Sequence, residues 1–176
     1  MKRHLLSITI CLLNLTGFAQ DNWVVKDLGS GISVRFPNVP TYKLKGNAGV
    51  YTSGTSNCLC MAVVQYDALP NYSDFLKLPQ KKQDELIEIF LDNAINGALK
   101  QSGNQGEPFT IIKIGSHSGR ETVCNGINPA NGEQTKKFTK ILYAFDKLYF
   151  FQCMYLKDDV TSLIEKNKYL KSIVVK

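Results

Sequence analysis

Alternating apolar and polar positions organise the first third of the chain. Ile32, Val34 and Phe36 are separated by polar residues, the pattern of a half-buried strand. Pro37 and Pro40 end it, because proline has no N–H to give to a ladder. The short apolar stretch Trp23 to Lys26 precedes it, with Gly29–Ser30–Gly31 as the turn. Gly49 to Thr52 and Cys58 to Tyr66 read as further strands, divided by a turn over Ser53–Gly54–Thr55–Ser56.

The period then changes. With Pro79 at a first helical position, Leu86, Ile89, Phe90, Ala94, Gly97 and Ala98 recur at i, i+3, i+4, which predicts a long amphipathic helix. Ile87, Leu91, Ile95 and Leu99 widen the stripe, Gly103 ends it, and the small residues let the far end lie close to a sheet. Strand patterns return at Phe109 to Ile114 and Arg120 to Cys124, around a Gly115–Gly119 turn. They recur at Phe138 to Phe145 and Leu148 to Leu156, around Asp146–Lys147, after a turn at Asn131–Gly132. A second helix from Asp159 to Leu170 carries Val160, Leu163, Ile164 and Asn167 at helical spacing. Ile173 to Val175 closes the chain as a short strand.

The Cys58–Tyr66 strand is apolar on both faces (Cys60, Ala62, Val64 against Leu59, Met61, Val63), as is the Leu148–Leu156 strand. Such strands need cover on both sides, and hairpin-length links make the sheet antiparallel. The expected fold class is α+β: a mainly antiparallel sheet covered by helices on both faces, an α/β/α sandwich.

Lys2, Arg3 and His4, the apolar run Leu5 to Phe18 and the small residues before Gln20 have the three parts of a secretory signal peptide. Residues 1–19 are therefore read as a leader cut after Ala19, and 20–176 as one domain, periplasmic or extracellular. The leader's run is shorter than the roughly 20 residues that span a bilayer, and no second run occurs, so no mature membrane span is expected. Of 176 residues, 44% are hydrophobic and 20% charged, a composition that folds into a core. The net charge of +6 falls by two with Lys2 and Arg3, and the rest is scattered. Nucleic acid is not an expected partner.

His117 is the one histidine outside the leader. It lies among Gly115, Ser116, Ser118 and Gly119, which reads as a solvated turn. If this segment holds a ligand, His117, Arg120 and Glu121 are its binding residues. A serine, His117 and Glu121 could form a triad only if folding oriented each on the next, and no Gly-x-Ser-x-Gly elbow occurs, so no catalytic residue is assigned. Cys58, Cys60, Cys124 and Cys153 all fall in strands and read as buried thiols. A single cross-strand disulfide and, behind it, a metal site are the alternatives. Cys58 and Cys60, about 6.7 Å apart on one strand face, are at the upper limit for pairing with each other. Asp84, Glu88 and Asp92, at i, i+4, i+8, read as the solvated stripe of the long helix. No phosphate loop, dinucleotide fingerprint, calcium loop or Cys-x-x-Cys occurs, so no cofactor or metal is expected.

The order of elements, with Arg35–Phe36–Pro37–Asn38–Val39–Pro40, the Gly115-Ser116-His117-Ser118-Gly119-Arg120-Glu121 segment, Lys147–Leu148–Tyr149 and Tyr169–Leu170–Lys171–Ser172, resembles exported bacterial members of the PsbP/Mog1-like superfamily. The resemblance covers residues 31 to 176. It implies a fold and no reaction, and no site residue carries over from its photosynthetic or GTPase-regulating branches. The resulting expectation is an exported, non-catalytic binding or accessory domain with a protein or small-molecule partner. The alternatives are a small exported enzyme using Gly115–Glu121 and a subunit of a cell-envelope assembly. A deep pocket holding His117 and an acid points to the enzyme, and a large apolar patch to the assembly.

Overall fold

The computed structural model describes residues 23–176; the expected leader and its cleavage point lie outside the described residues. The main sheet has seven strands. Thr41–Lys45 (β3), Ala48–Gly54 (β4) and Cys58–Gln65 (β5) form one side, and Phe109–Ile114 (β6), His117–Ile127 (β7), Gln134–Ala144 (β8) and Lys147–Tyr155 (β9) the other. Their order is β3-β4-β5-β9-β8-β7-β6, every neighbouring pair antiparallel. A second sheet holds Val24–Asp27 (β1), Ile32–Phe36 (β2) and Val174–Val175 (β10), in the order β1-β2-β10. The helices are Tyr72–Phe75 (α1), Gln80–Gln101 (α2) and Val160–Lys171 (α3).

The α/β/α sandwich expected from the sequence is overturned. One face of the main sheet is covered by a mixed layer, in which Ile32, Val34 and Phe36 of β2 join Tyr169 and Leu170 of α3. They bury Cys58, Cys60, Ala62 and Val64 of β5 and Tyr149, Phe151 and Cys153 of β9. The opposite face is only partly covered. Leu91, Ile95 and Leu99 of α2 pack on Cys124, Ile141, Tyr143 and Leu148. Leu59, Met61 and Val63, beyond the helix's reach, stay half-buried. Alternation shows that a strand needs cover, but not whether a helix or a second sheet supplies it.

α2 buries one side of the expected stripe, and α3 a different face from that expected. On α2 the buried line is Leu91, Ile95 and Leu99, whereas Ile89 is 57% exposed. Pro79 sits at the N-cap with extended ψ of 143°, one position before the first helical residue. Gly97 does not touch the sheet: a Cβ built there meets nothing within 4 Å. On α3 the buried side is Ser162, Tyr169 and Leu170, which leaves Val160, Leu163 and Ile164 exposed. Asp159 caps α3 by accepting a hydrogen bond from the Ser162 N–H at 2.8 Å, and Tyr169 donates its hydroxyl to the Met61 carbonyl at 2.7 Å. No helix among the described residues is long and apolar enough to cross a membrane.

Candidate binding cleft

The β8–β9 hairpin turns one residue earlier than expected. Ala144 pairs with Lys147, and the two residues between them, Phe145 and Asp146, have φ of 53° and 56°. Two positive φ values are the backbone of a type I′ turn, which ordinarily takes Asn-Gly. Phenylalanine there is strained, because its Cβ crowds the following carbonyl. Asp146 fastens the turn to the loop after β5: its backbone carbonyl accepts from the Ala68 N–H at 3.1 Å, and its carboxylate from the Leu69 N–H at 3.1 Å. Phe145 is left 49% exposed, its ring 5.6 Å from that of His117. The other non-glycine residues with positive φ, Ser30, Asp67 and Asn71, lie in loops at this same end of the sheet.

Under the Phe145 ring lies a cleft of about 490 Å³. Its walls are α1 with Tyr72 and Phe75, the first three turns of α2 with Asp84 and Glu88, the β6–β7 turn with Ser116 and the start of β7 with His117, and the end of β8 with Tyr143. Tyr72 and Phe75 stack with ring centres 5.9 Å apart. Tyr143 is 5% exposed and its hydroxyl has no hydrogen-bond partner among the described residues. Burial pushes its phenol pKa well up, so it stays neutral. A buried hydroxyl left unmatched is costly, and the Asp146 backbone lies beside this one.

Arg120 stands behind this wall and is 1% exposed. Its Nε donates to Asp92 at 2.6 Å, and one terminal nitrogen donates to the Glu88 carboxylate at 2.7 Å and to the Glu88 carbonyl at 3.2 Å. The other terminal nitrogen donates to the Gly119 carbonyl at 3.1 Å. Burial alone would lower the guanidinium's pKa, but the two carboxylates outweigh that and raise it. A hydrogen bond from Ser118, reinforced by Arg120, holds the Glu88 carboxyl below the usual range. The expected solvated stripe is thus corrected at two of its three positions: Glu88 and Asp92 clamp a buried cation.

The three sequence candidates separate. His117 is on the cleft rim, but as the first residue of β7, paired with Ile114; the turn is only Gly115–Ser116. Arg120 is buried and engaged by Asp92, Glu88 and the Gly119 carbonyl. Glu121 points to the opposite sheet face, 3.7 Å from Lys140. No triad forms: the His117 Nδ1 lies 3.4 Å from the neighbouring Ser116 Oγ, and none of the carboxylates among the described residues bonds to its ring. Tyr72, Tyr143 and Phe145 carry no motif, and with the turn expected at Asp146–Lys147 Phe145 reads as the last residue of a strand. The four cysteines, Cys58, Cys60, Cys124 and Cys153, are buried free thiols.

No protein-family model matches the chain, and no curated protein matches it. Among solved structures, a crystal structure from Bacteroides thetaiotaomicron VPI-5482 is similar to it at 11% identity and a TM-score of 0.47, over 89% of this chain and 49% of that one. The chain thus spans about half the length of that protein.

Proposed function

We propose that this chain is an exported, non-catalytic binding domain that takes a small ligand in the Phe145 cleft. The observation that carries the reading is the strained turn that holds a half-exposed phenylalanine at the edge of a cleft with Tyr72, Phe75 and His117. Strain of this kind persists where the surroundings enforce it, and it gathers at ligand sites. Export rests on the leader pattern of residues 1–19. Kinship with the PsbP/Mog1-like superfamily, proposed on the order of elements, adds no reaction.

The cleft does gather His117 with Asp84 and Glu88, the arrangement that would favour an enzyme. Yet Glu88 is held by Arg120 and Asp84 accepts from Gln80 at 2.7 Å, so neither orients the imidazole as a general base requires. The exposed Val160, Leu163 and Ile164 of α3 support the second reading, a subunit of an envelope assembly.

The test is a fragment screen by protein-observed NMR. The proposal expects hits that shift Tyr72, His117 and Phe145 together and bind more weakly to Phe145→Ala. Hits that map only to α3, or affinity indifferent to Phe145→Ala, would refute it.

A further inference from the structure

The half-open face of the main sheet holds a second and larger depression, of about 650 Å³, between α2 and strands β5 and β9. Its floor is Val63 and Phe150. Its helical wall is thinned by Gly97, where an added Cβ would meet nothing within 4 Å. Four carboxamides line it, Gln65 and Gln152 from the sheet and Asn93 and Gln101 from the helix. None of the four makes a side-chain hydrogen bond among the described residues. The lining contains no carboxylate and one cation, Lys137.

This chemistry selects its occupant by complementarity. An acyl chain would strip water from the half-buried Gln65 and Gln152 amides and give nothing back. An extended peptide would seek backbone pairing, but β5 and β9 are interior strands whose ladders are paired on both sides. A multiply charged ligand finds one lysine, close to the negative C-terminal end of α2. Carboxamides both donate and accept, as sugar hydroxyls do, and the Phe150 ring supplies a flat apolar surface for a sugar's C–H face. The volume falls in the range of small-molecule sites, about 300–1,000 Å³. We infer that this groove is a binding site for a neutral glycan, distinct from the Phe145 cleft.

The experiment titrates the purified protein with short neutral oligosaccharides of β-glucan, α-mannan and N-acetylhexosamine type, with dodecanoate and a neutral tripeptide as the contrasting probes. Binding is followed through backbone amide NMR shifts. One oligosaccharide series is expected to shift Gly97, Gln101 and Gln152. Gly97→Leu, which fills the groove from an ordinary helical position, should weaken that binding by about tenfold or more while raising thermal stability. Gln152→Leu should weaken it too, and Phe145→Ala should leave it unchanged. Binding by none of the three series, affinity within about twofold of wild type in Gly97→Leu, or preference of the groove for dodecanoate or the tripeptide would each overturn the inference. Loss in Phe145→Ala would place the sugar in the other cleft and overturn it equally.

Discussion

Arg120 is the one charged side chain fully buried among the described residues, and each of its nitrogens has an acceptor. Removing a partner from a buried ion pair leaves an uncompensated charge, which in a dry interior costs about 3–5 kcal/mol. Asp92 is 46% exposed, so water can partly replace it, and Asp92→Ala is expected to cost about 1–2 kcal/mol in urea melts. A change within about 0.5 kcal/mol, the norm for a surface residue, would show that the clamp is not energetic. Glu88 adds a pH signature. Its folded pKa lies below the ordinary 4.5, so near that pH the unfolded chain takes up the proton more readily, and stability rises with pH there. Its contribution is complete above 4.5 and is lost as pH falls through the lower folded value. The stability gap between wild type and Glu88→Gln should therefore narrow on acidification; a gap that widens would contradict the assignment. Nothing in the spacing of Asp84, Glu88 and Asp92 distinguishes a clamp from a solvated stripe. The missing datum was the packing of α2 over Arg120 of β7, a contact between residues 28 and 32 apart in sequence.

For the elements, periodicity located both long helices, but not the side α3 buries nor the centre of the wide stripe on α2. Ile87, Leu91, Ile95 and Leu99 form one i, i+4 line, while Leu86, Ile89 and Phe90 form another beside it. Only the tilt of α2 across β7 and β8 decides between them. Leu91→Ala should cost about 2–5 kcal/mol as a cavity in a packed core, and Ile89→Ala no more than about 0.5 kcal/mol. Reversed values in denaturant melts would rotate the helix. Strand β3 escaped the sequence reading because it is exposed along its whole length and so has no buried face to read. The thiols were legible, since cysteine in an apolar strand is ordinarily buried. In the fold Cys60 lies directly opposite Cys153, and a hydrogen bond to Cys153 together with burial pushes the Cys58 thiol far up. A thiol reagent should therefore find the four described cysteines unreactive in the native protein and all reactive in denaturant. Rapid native labelling, or a pair that stays silent after unfolding, would mean an open core or a disulfide.

The whole molecule places its burial and its strain in different regions. Aliphatic and aromatic side chains fill the space between the main sheet and the β2–α3 layer, while every non-glycine residue with positive φ among those described sits in the loops at the β8–β9 end. The sequence made the strands of that sheet readable because period-two patterns are local. It read β2 and the closing strand but hid the second sheet, because β1 and β10 pair with β2 from opposite ends of the chain. The cleft was hidden for the same reason: its walls come from α1, α2, the β6–β7 turn and β8, which are adjacent only after folding. The central claim is that Phe145 is kept in a strained turn for binding and not for packing. Equilibrium urea unfolding of Phe145→Asn tests it most directly, since asparagine accepts a left-handed backbone and keeps the turn while removing the ring. The account predicts a variant more stable than wild type by about 0.5–1 kcal/mol, the relief of left-handed strain less a partly exposed contact. A variant less stable by about 1 kcal/mol or more would make Phe145 a packing residue and contradict the claim.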